Sequence, residues 1–209
     1  FNDGRVFKRR SVALESGASG SSRIWIFSDF TEAWGARIDP LTGLLNRRAY
    51  GREIPGFMAS DHSAQIKAFA LIDVDHFKAF NDRYGHAGGD AVLEQVGVIL
   101  DKGANLALHK AFRIGGEEFA IASVHPDYEA ALQYHQQIVG SIQQAGIAHA
   151  GNRPHGVVTI SMGLGLFSGP GEPGDVFAAV DKALYLAKKL GRNRVVMATL
   201  DSTVKPKVS

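Results

Sequence analysis

Asp73 and Asp75 close an apolar run, "IKAFALIDVD", and Glu117 and Glu118 follow two glycines in "AFRIGGEEFA". Neighbouring carboxylates repel and raise each other's pKa unless something compensates them. Taken alone, Glu117-Glu118 reads as a solvated turn and Asp73 with Asp75 as helix-capping acids. Taken together, the two pairs admit a different chemistry. Hard oxygen ligands without His or Cys favour Mg²⁺ or Mn²⁺, and a divalent ion offsets several carboxylates at once.

Groups suited to an anion stand beside these acids. "HFKAFND" reads as the start of a helix whose first backbone N–H groups, around Phe77, have no internal partners. Lys78 lies in its first turn, and Lys188 and Arg192 close a later helix. Cations there also complement a helix dipole, and Lys188-Lys189 alone would be a solvated face. Joined to a metal, these groups suit a triphosphate. Other residues read more plainly. The eight histidines show no ligand spacing, and His76, His86 and His135 read as surface or capping residues. Arg47 and Arg48 could bind nucleotide, but read more plainly as salt-bridge partners between the first helix and the body. Gly163 and Gly165 read as close strand packing, because no helix follows them directly.

The elements that must position these groups follow from periodicity. Residues 4–13 and 23–29 alternate as strands around the Gly/Ser-rich "ESGASGSS". A lone hairpin is marginal in water, so this pair is expected to belong to a larger sheet. After Asp39-Pro40, residues 41–58 have helical spacing, with Pro40 suited to the helix start. Residues 66–75 form an apolar run that reads as a strand buried on both faces. "FKAFNDRYG" is a short helix closed by Gly85, and "AGGDAVLEQVGVILDKG" a second stopped by Gly103. "LALHKAFRI" and "EFAIASV" are strands flanking the glycines. A helix opened by Pro126-Asp127, a strand over 157–167, a helix ending at Gly191 and a strand "RVVMA" complete the order, and the tail 200–209 reads as disordered.

This order predicts an α+β fold: a ferredoxin-like βαββαβ palm with an antiparallel central sheet surrounded by helices, plus an N-terminal β-hairpin. In such a sheet the hairpin strands flank or lie beside the first strand, so the glycine tip can approach Asp73. The domains are expected at 1–34 (hairpin and exit segment), 35–199 (catalytic body) and 200–209 (tail).

Composition narrows the function. The 45% apolar and 21% charged fractions fit a soluble globular chain with a real core. A net charge of +2 is too small to argue for nucleic acid or membrane by bulk electrostatics. The chain has no cysteine, which excludes disulfides, thiolate metal sites and a Cys nucleophile. No apolar run approaches the roughly 20 residues that span a bilayer. Opening at Phe1 in mid-pattern, the chain reads as part of a longer protein, cytoplasmic here and open to membrane tethering upstream.

The stretches "DPLTGLLNRRAY", "LIDVDHFKAFNDRYGHAGGDAVL", "RIGGEEF", "VTISMGLG" and "DKALYLAKKLGRNRV" together resemble the GGDEF domain, the diguanylate cyclase module of bacterial signalling, in a GGEEF form. The resemblance runs in order from Asp39 to about Met197. It implies condensation of two GTP into cyclic di-GMP with release of pyrophosphate, by a homodimer whose protomers each hold one GTP. It also implies Asp73, Glu117 and the Val74 carbonyl as Mg²⁺ ligands, with Glu118 assisting metal or phosphate. Asn81 and Asp90 match the guanine-reading positions; Lys78, Lys188 and Arg192 match phosphate contacts. Gly115 and Gly116 leave room for nucleotide over the hairpin backbone. The hairpin 1–34 resembles the end of a PAS sensor domain, which implies an upstream sensor as partner.

One departure stands out. Where many relatives carry an inhibitory R-x-x-D five residues before the first glycine, this chain has Leu106 to His109, "LALH". The expectation is therefore no tight product inhibition there. The competing class is a silent module that binds GTP or cyclic di-GMP as a sensor; the intact acids and guanine-reading positions count against it. A second alternative, a mixed cyclic dinucleotide, is disfavoured by Asp90, which adenine cannot satisfy.

Overall fold

A computed structural model describes residues 7–14, 22–29, 31–62, 65–102 and 108–200. The chain divides into two compact units, residues 1–38 and 39–209. In the first, β1 (Phe7–Leu14) pairs antiparallel with β2 (Ser22–Asp29), and α1 (Thr31–Gly35) follows. Asp29 Oδ1 accepts from the Thr31 N–H at 2.9 Å, which starts that helix. Ile24, Trp25, Ile26 and Phe27 are consecutive and all exposed, so both faces of β2 present apolar surface.

The second unit runs α2 (Arg47–Ala59), β3 (Ile66–Val74), α3 (Phe77–Tyr84), α4 (His86–Asp101), β4 (His109–Arg113), β5 (Glu118–His125), α5 (Tyr128–Gln144), β6 (Ile160–Phe167), α6 (Pro173–Lys189) and β7 (Arg194–Met197). Its sheet has the order β4-β5-β3-β6-β7. The four palm strands are antiparallel, as the pattern predicts. The fifth is not: β7 joins β6 in parallel, because α6 carries the chain back across the sheet before it re-enters.

All nine residues of β3 are buried, and alternate ones feed two cores. Ala68, Ala70, Ile72 and Val74 pack with α3, α4 and α5 on one face. Phe69 and Leu71 pack with α2 and α6 on the other. The close packing expected at Gly163 is present: a Cβ there would collide with the Val180 carbonyl and the Leu184 amide of α6. Only a bare backbone lets α6 approach the strand that far.

Several boundaries differ from the sequence expectation. The first helix starts at Arg47, capped by Asn46, whose Oδ1 accepts from the Ala49 N–H at 3.0 Å. Pro40 instead sits in a turn closed by Asp39, which accepts from the Thr42 N–H (2.9 Å) and hydroxyl (2.8 Å). Leu45 then bridges in parallel to Phe112, so the helically spaced leucines pack as an edge segment. Pro55 lies inside α2. The strand expected from residue 106 begins at His109, and that expected from 157 begins at Ile160. Gly103 and the tail 201–209 lie outside the described residues.

Candidate active site at the end of the central strand

Register brings the acids together. Asp73, the penultimate residue of β3, lies opposite Glu118 on β5 and Ser161 on β6. The Val74 N–H donates to the Glu117 carbonyl at 3.2 Å, which fastens the glycine tip over the end of the strand. The Asp73 side chain is 10% exposed, and Lys188 Nζ at the end of α6 reaches its Oδ2 at 2.7 Å. Burial pushes the Asp73 carboxyl up, Lys188 pulls it down, and the charges of Asp75 and Glu118 push it up again. Glu117 is half-buried and is raised by that burial and then by Asp73. The site is thus a pair of mutually repelling carboxylates with one shared ammonium beside them.

The tip is braced from outside. Arg113 donates through Nη2 and Nε to the Gly116 carbonyl, at 2.9 and 3.2 Å, and through Nη1 to Asp39 Oδ1 at 3.1 Å. Neither Arg113 nor Asp39 was singled out as a candidate above; the available signal was an arginine ending a strand just before a glycine turn. Glu118 is exposed, with its carboxylate folded over Gly115, where a Cβ would meet its Oε2. Gly116 faces open space.

Next to the acids, α3 begins at His76, in the left-handed region at φ +56°, with no side-chain cap. Its first amides therefore point out uncapped. Phe77 is buried and stacked on Phe80, with ring planes 3° apart, so only its main chain faces this opening. Lys78 is exposed. Arg192 lies in the turn after α6 at φ +63°. Burial and then the nearby Arg192 charge hold the His76 imidazole below its usual value. Lys188, Arg192 and the start of α3 thus converge on one end of β3.

Asn81, further along α3, has a buried Oδ1 without a hydrogen-bond partner. A Cβ on Gly89 would collide with that oxygen, so the glycine makes room for the amide. Asp90 follows on α4 and is exposed. Two acceptors thus stand on adjoining helices, α3 and α4.

Three expectations need correction. Asp75 neither joins Asp73 nor caps α3; it is 1% exposed and accepts from the Thr159 and Ser161 hydroxyls at 2.7 and 2.6 Å. His135 is neither surface nor cap: it is buried, its Nδ1–H donates to the Ala131 carbonyl at 2.7 Å, and desolvation pushes its pKa down to about 3. It packs between His125 and Tyr134, away from the acids, as core. Glu53 on α2 pairs instead with Lys110 of the sheet at 2.6 Å, while Arg47 and Arg48 are exposed. Sequence spacing alone does not distinguish a neutral buried imidazole from an exposed one.

Among the described residues no group of three or more His, Asp or Glu side chains is arranged to hold a metal ion. The donor set still fits one metal in particular. Mg²⁺ is commonly bound through one or two carboxylates plus substrate phosphates, keeping waters, without a full protein cage. Asp73 and Glu117, two adjacent carboxylates whose carboxyls are both raised, fit that description.

Residues 36–194 match the family described as "Diguanylate cyclase, GGDEF domain". The chain is 38% identical over 164 residues to diguanylate cyclase DgcM of Escherichia coli K12, covering 78% of this chain and 38% of that protein. It is 33% identical over 162 residues to diguanylate cyclase VdcA of Vibrio cholerae, covering 77% and 47%. It therefore spans less than half the length of these relatives. The coiled coil and GGDEF domain of DgcB from Caulobacter crescentus, solved with c-di-GMP, superposes with a TM-score of 0.70 at 28% identity, over 80% of this chain and 88% of that one. The active GGEEF domain of a Vibrio cholerae diguanylate cyclase gives 0.63 at 27% identity, over 76% and 99%.

Proposed function

This chain belongs to the GGDEF diguanylate cyclase family, and from that premise we propose that it condenses two GTP into cyclic di-GMP, releasing two pyrophosphates. The observation that carries the proposal is the pairing of Asp73 with Lys188 beside the raised Glu117: an acid cluster with too little positive charge of its own. Asp73, Glu117 and the Val74 carbonyl would hold Mg²⁺ or Mn²⁺. When bound, that ion lowers the pKa of an attacking 3′-hydroxyl and neutralises phosphate charge.

The chain's own residues divide the remaining work. The uncapped amides at Phe77 and Lys78, with the Lys78, Lys188 and Arg192 side chains, hold the triphosphate. Lys188 leaves Asp73 for the phosphates as nucleotide arrives. The unpartnered Asn81 Oδ1 and the Asp90 carboxylate accept from guanine's ring N–H and exocyclic amine, donors that adenine does not present there. A wrong base then leaves a polar group unpaired, at a cost of roughly 1–3 kcal/mol. The 3′-oxygen of one GTP attacks the α-phosphorus of the other, and the bond to pyrophosphate breaks. The hydroxyl proton passes to Glu117 or Glu118. The same step with the two nucleotides' roles exchanged closes the ring and releases the second pyrophosphate, so two protomers must face each other. Gly116 keeps the tip open for this approach.

The body 35–199 is the catalytic domain in this reading. The hairpin 1–34 is the edge of a larger upstream sensor module, a reading supported by the apolar residues on both faces of β2. No helix among the described residues is long and apolar enough to cross a membrane. His109, where inhibited relatives carry the aspartate, is half-buried; its Nε2–H donates to the Leu100 carbonyl and its Nδ1 accepts from Tyr134. It offers no guanine-reading carboxylate.

The test is product formation from GTP and Mg²⁺ across a series of protein concentrations. Cyclic di-GMP should rise faster than linearly with enzyme, and added product should not inhibit at low micromolar levels. Asp73→Asn and Glu117→Gln should each lower the rate by about a thousandfold or more. GTP binding without product at any concentration would replace the cyclase with a nucleotide-sensing module.

A further inference from the structure

We propose that Asp75 is a positioning residue for the phosphate end of this site, acting through the turn that carries Arg192; the inference rests on the cyclase reading above. Asp75 is almost wholly enclosed, and its two oxygens collect three donors from two places in the chain, the start of β6 and the turn before β7. Oδ1 accepts from the Ser161 hydroxyl at 2.6 Å. Oδ2 accepts from the Thr159 hydroxyl at 2.7 Å and from the Asn193 main-chain N–H at 3.1 Å. Thr159 is itself committed, because its oxygen accepts from Asn152 Nδ2 at 2.8 Å. The Asp75 N–H also donates to the Thr159 carbonyl at 2.9 Å.

The third donor links this network to function. Arg192 and Asn193 both lie in the left-handed region, at φ +63° and +47°. Non-glycine residues hold that conformation only where surrounding contacts enforce it, at a cost on the order of 1 kcal/mol each. The Asn193 amide supplies such a contact, as does the Arg192 N–H, which donates to the Ala187 carbonyl at 3.0 Å. On its other side, Asp75 leads directly through His76 into the uncapped start of α3. One buried carboxylate therefore ties the start of α3 to the turn that carries Arg192. Those are the groups assigned to the triphosphate, and Asp75 reaches them without touching substrate.

Chemistry separates the possible variants. Asp75→Ala removes all three acceptor contacts. Asp75→Asn can keep an oxygen at the Oδ2 position, where a main-chain N–H cannot reverse its role. Its amide NH₂ then faces Ser161, whose hydroxyl can turn and accept. The aspartate's shape and the turn survive in the second variant and not in the first.

The experiment measures equilibrium binding of α,β-methylene GTP, which cannot release pyrophosphate, and of GMP, which lacks the outer phosphates. Asp75→Ala should weaken the triphosphate analogue about tenfold and GMP less than about twofold, the loss expected from freeing one charged contact. Asp75→Asn should restore the analogue to within about threefold of the parent. In an Arg192→Ala background, Asp75→Ala should add less than about twofold, because the two residues act in series. Should Asp75→Ala fail to fold, Thr159→Ala should give the same selective loss at about threefold. Equal losses for both ligands, no loss, or additive losses with Arg192→Ala would each overturn the proposal. A parent protein that binds the analogue but makes no cyclic di-GMP would sink the cyclase reading alone. One that binds neither ligand would sink both.

Discussion

The central strand buries a charge near each end, and the two charges are treated in opposite ways. Lys67, near the start of β3, is wholly enclosed, yet its ammonium donates to the carbonyls of Phe57 (3.2 Å), Met58 (2.7 Å) and Ser60 (2.7 Å). Those carbonyls end α2, where the helix leaves acceptors unmatched. The rings of Phe57 and Phe167 close over the same nitrogen. Asp73, near the other end, has one ammonium, itself a third exposed, and is pushed by the charges of Asp75 and Glu118. Every neighbour of Lys67 agrees with its charge, whereas the neighbours of Asp73 disagree. A buried ion surrounded by agreement holds structure; one surrounded by conflict is poised to take a ligand.

The largest effect outside catalysis should come from breaking the agreeing end. Lys67→Met keeps the buried stem and removes the ammonium, leaving Ser60's carbonyl without its donor and two others with fewer. Urea denaturation should show a loss of about 2 kcal/mol at neutral pH. Burial pushes the Lys67 pKa down to about 8 from 10.5. Between those values the unfolded chain holds a proton that the folded chain has released, so parent stability rises with pH across that window. The gap to Lys67→Met should therefore widen from pH 8 upward. A gap that shrinks over that range would mean that the three carbonyls hold the ammonium charged.

At the conflicted end, Lys188→Ala should separate two roles. Losing a phosphate contact should weaken GTP about tenfold. Losing a competitor for Asp73 should tighten Mn²⁺ alone by about twofold to threefold. Calorimetry with each ligand separately distinguishes them. If both ligands weaken together, Lys188 holds the site's shape and not its charge balance.

These two ends also mark how far the sequence could be read. The palm order and the Asp73–hairpin approach were legible, because period-2 and helical spacing report burial and the glycines report the turn. Leu41, Leu44 and Leu45 misled: their helical spacing lost to Asp39, whose carboxylate closes a turn with Thr42, and to Asn46, which caps the helix later. Asp75 misled too, since a strand-end acid looks the same whether it faces a metal or three donors from the start of β6 and the turn before β7. Lys67 left no signal as a cap, because the helix end it closes comes from an earlier stretch of chain. Contacts of that kind depend on which element the fold lays alongside, and periodicity is silent about that.

The smallest effect should be the most telling about the conflict itself. Glu117→Gln removes a charge that Asp73 repels, so the variant should lose turnover while the metal-free chain gains stability. The sign follows from the raised carboxyl: the folded chain keeps a proton at a pH where the unfolded chain has lost it. Parent stability therefore falls as pH climbs from the ordinary value of 4.5 through the higher folded one. Above that window the penalty is complete, and the variant never incurs it. Thermal melts in EDTA should show a difference near zero below pH 4.5 and a gain of about 1–2 °C at neutral pH, kept small by the partial exposure of Glu117. Saturating Mn²⁺ should reverse the order, because the parent then recovers by ligand binding what the repulsion costs it. A variant less stable than the parent at neutral pH without metal would show that Glu117 serves the fold, and the contrast between the two ends of β3 would fail.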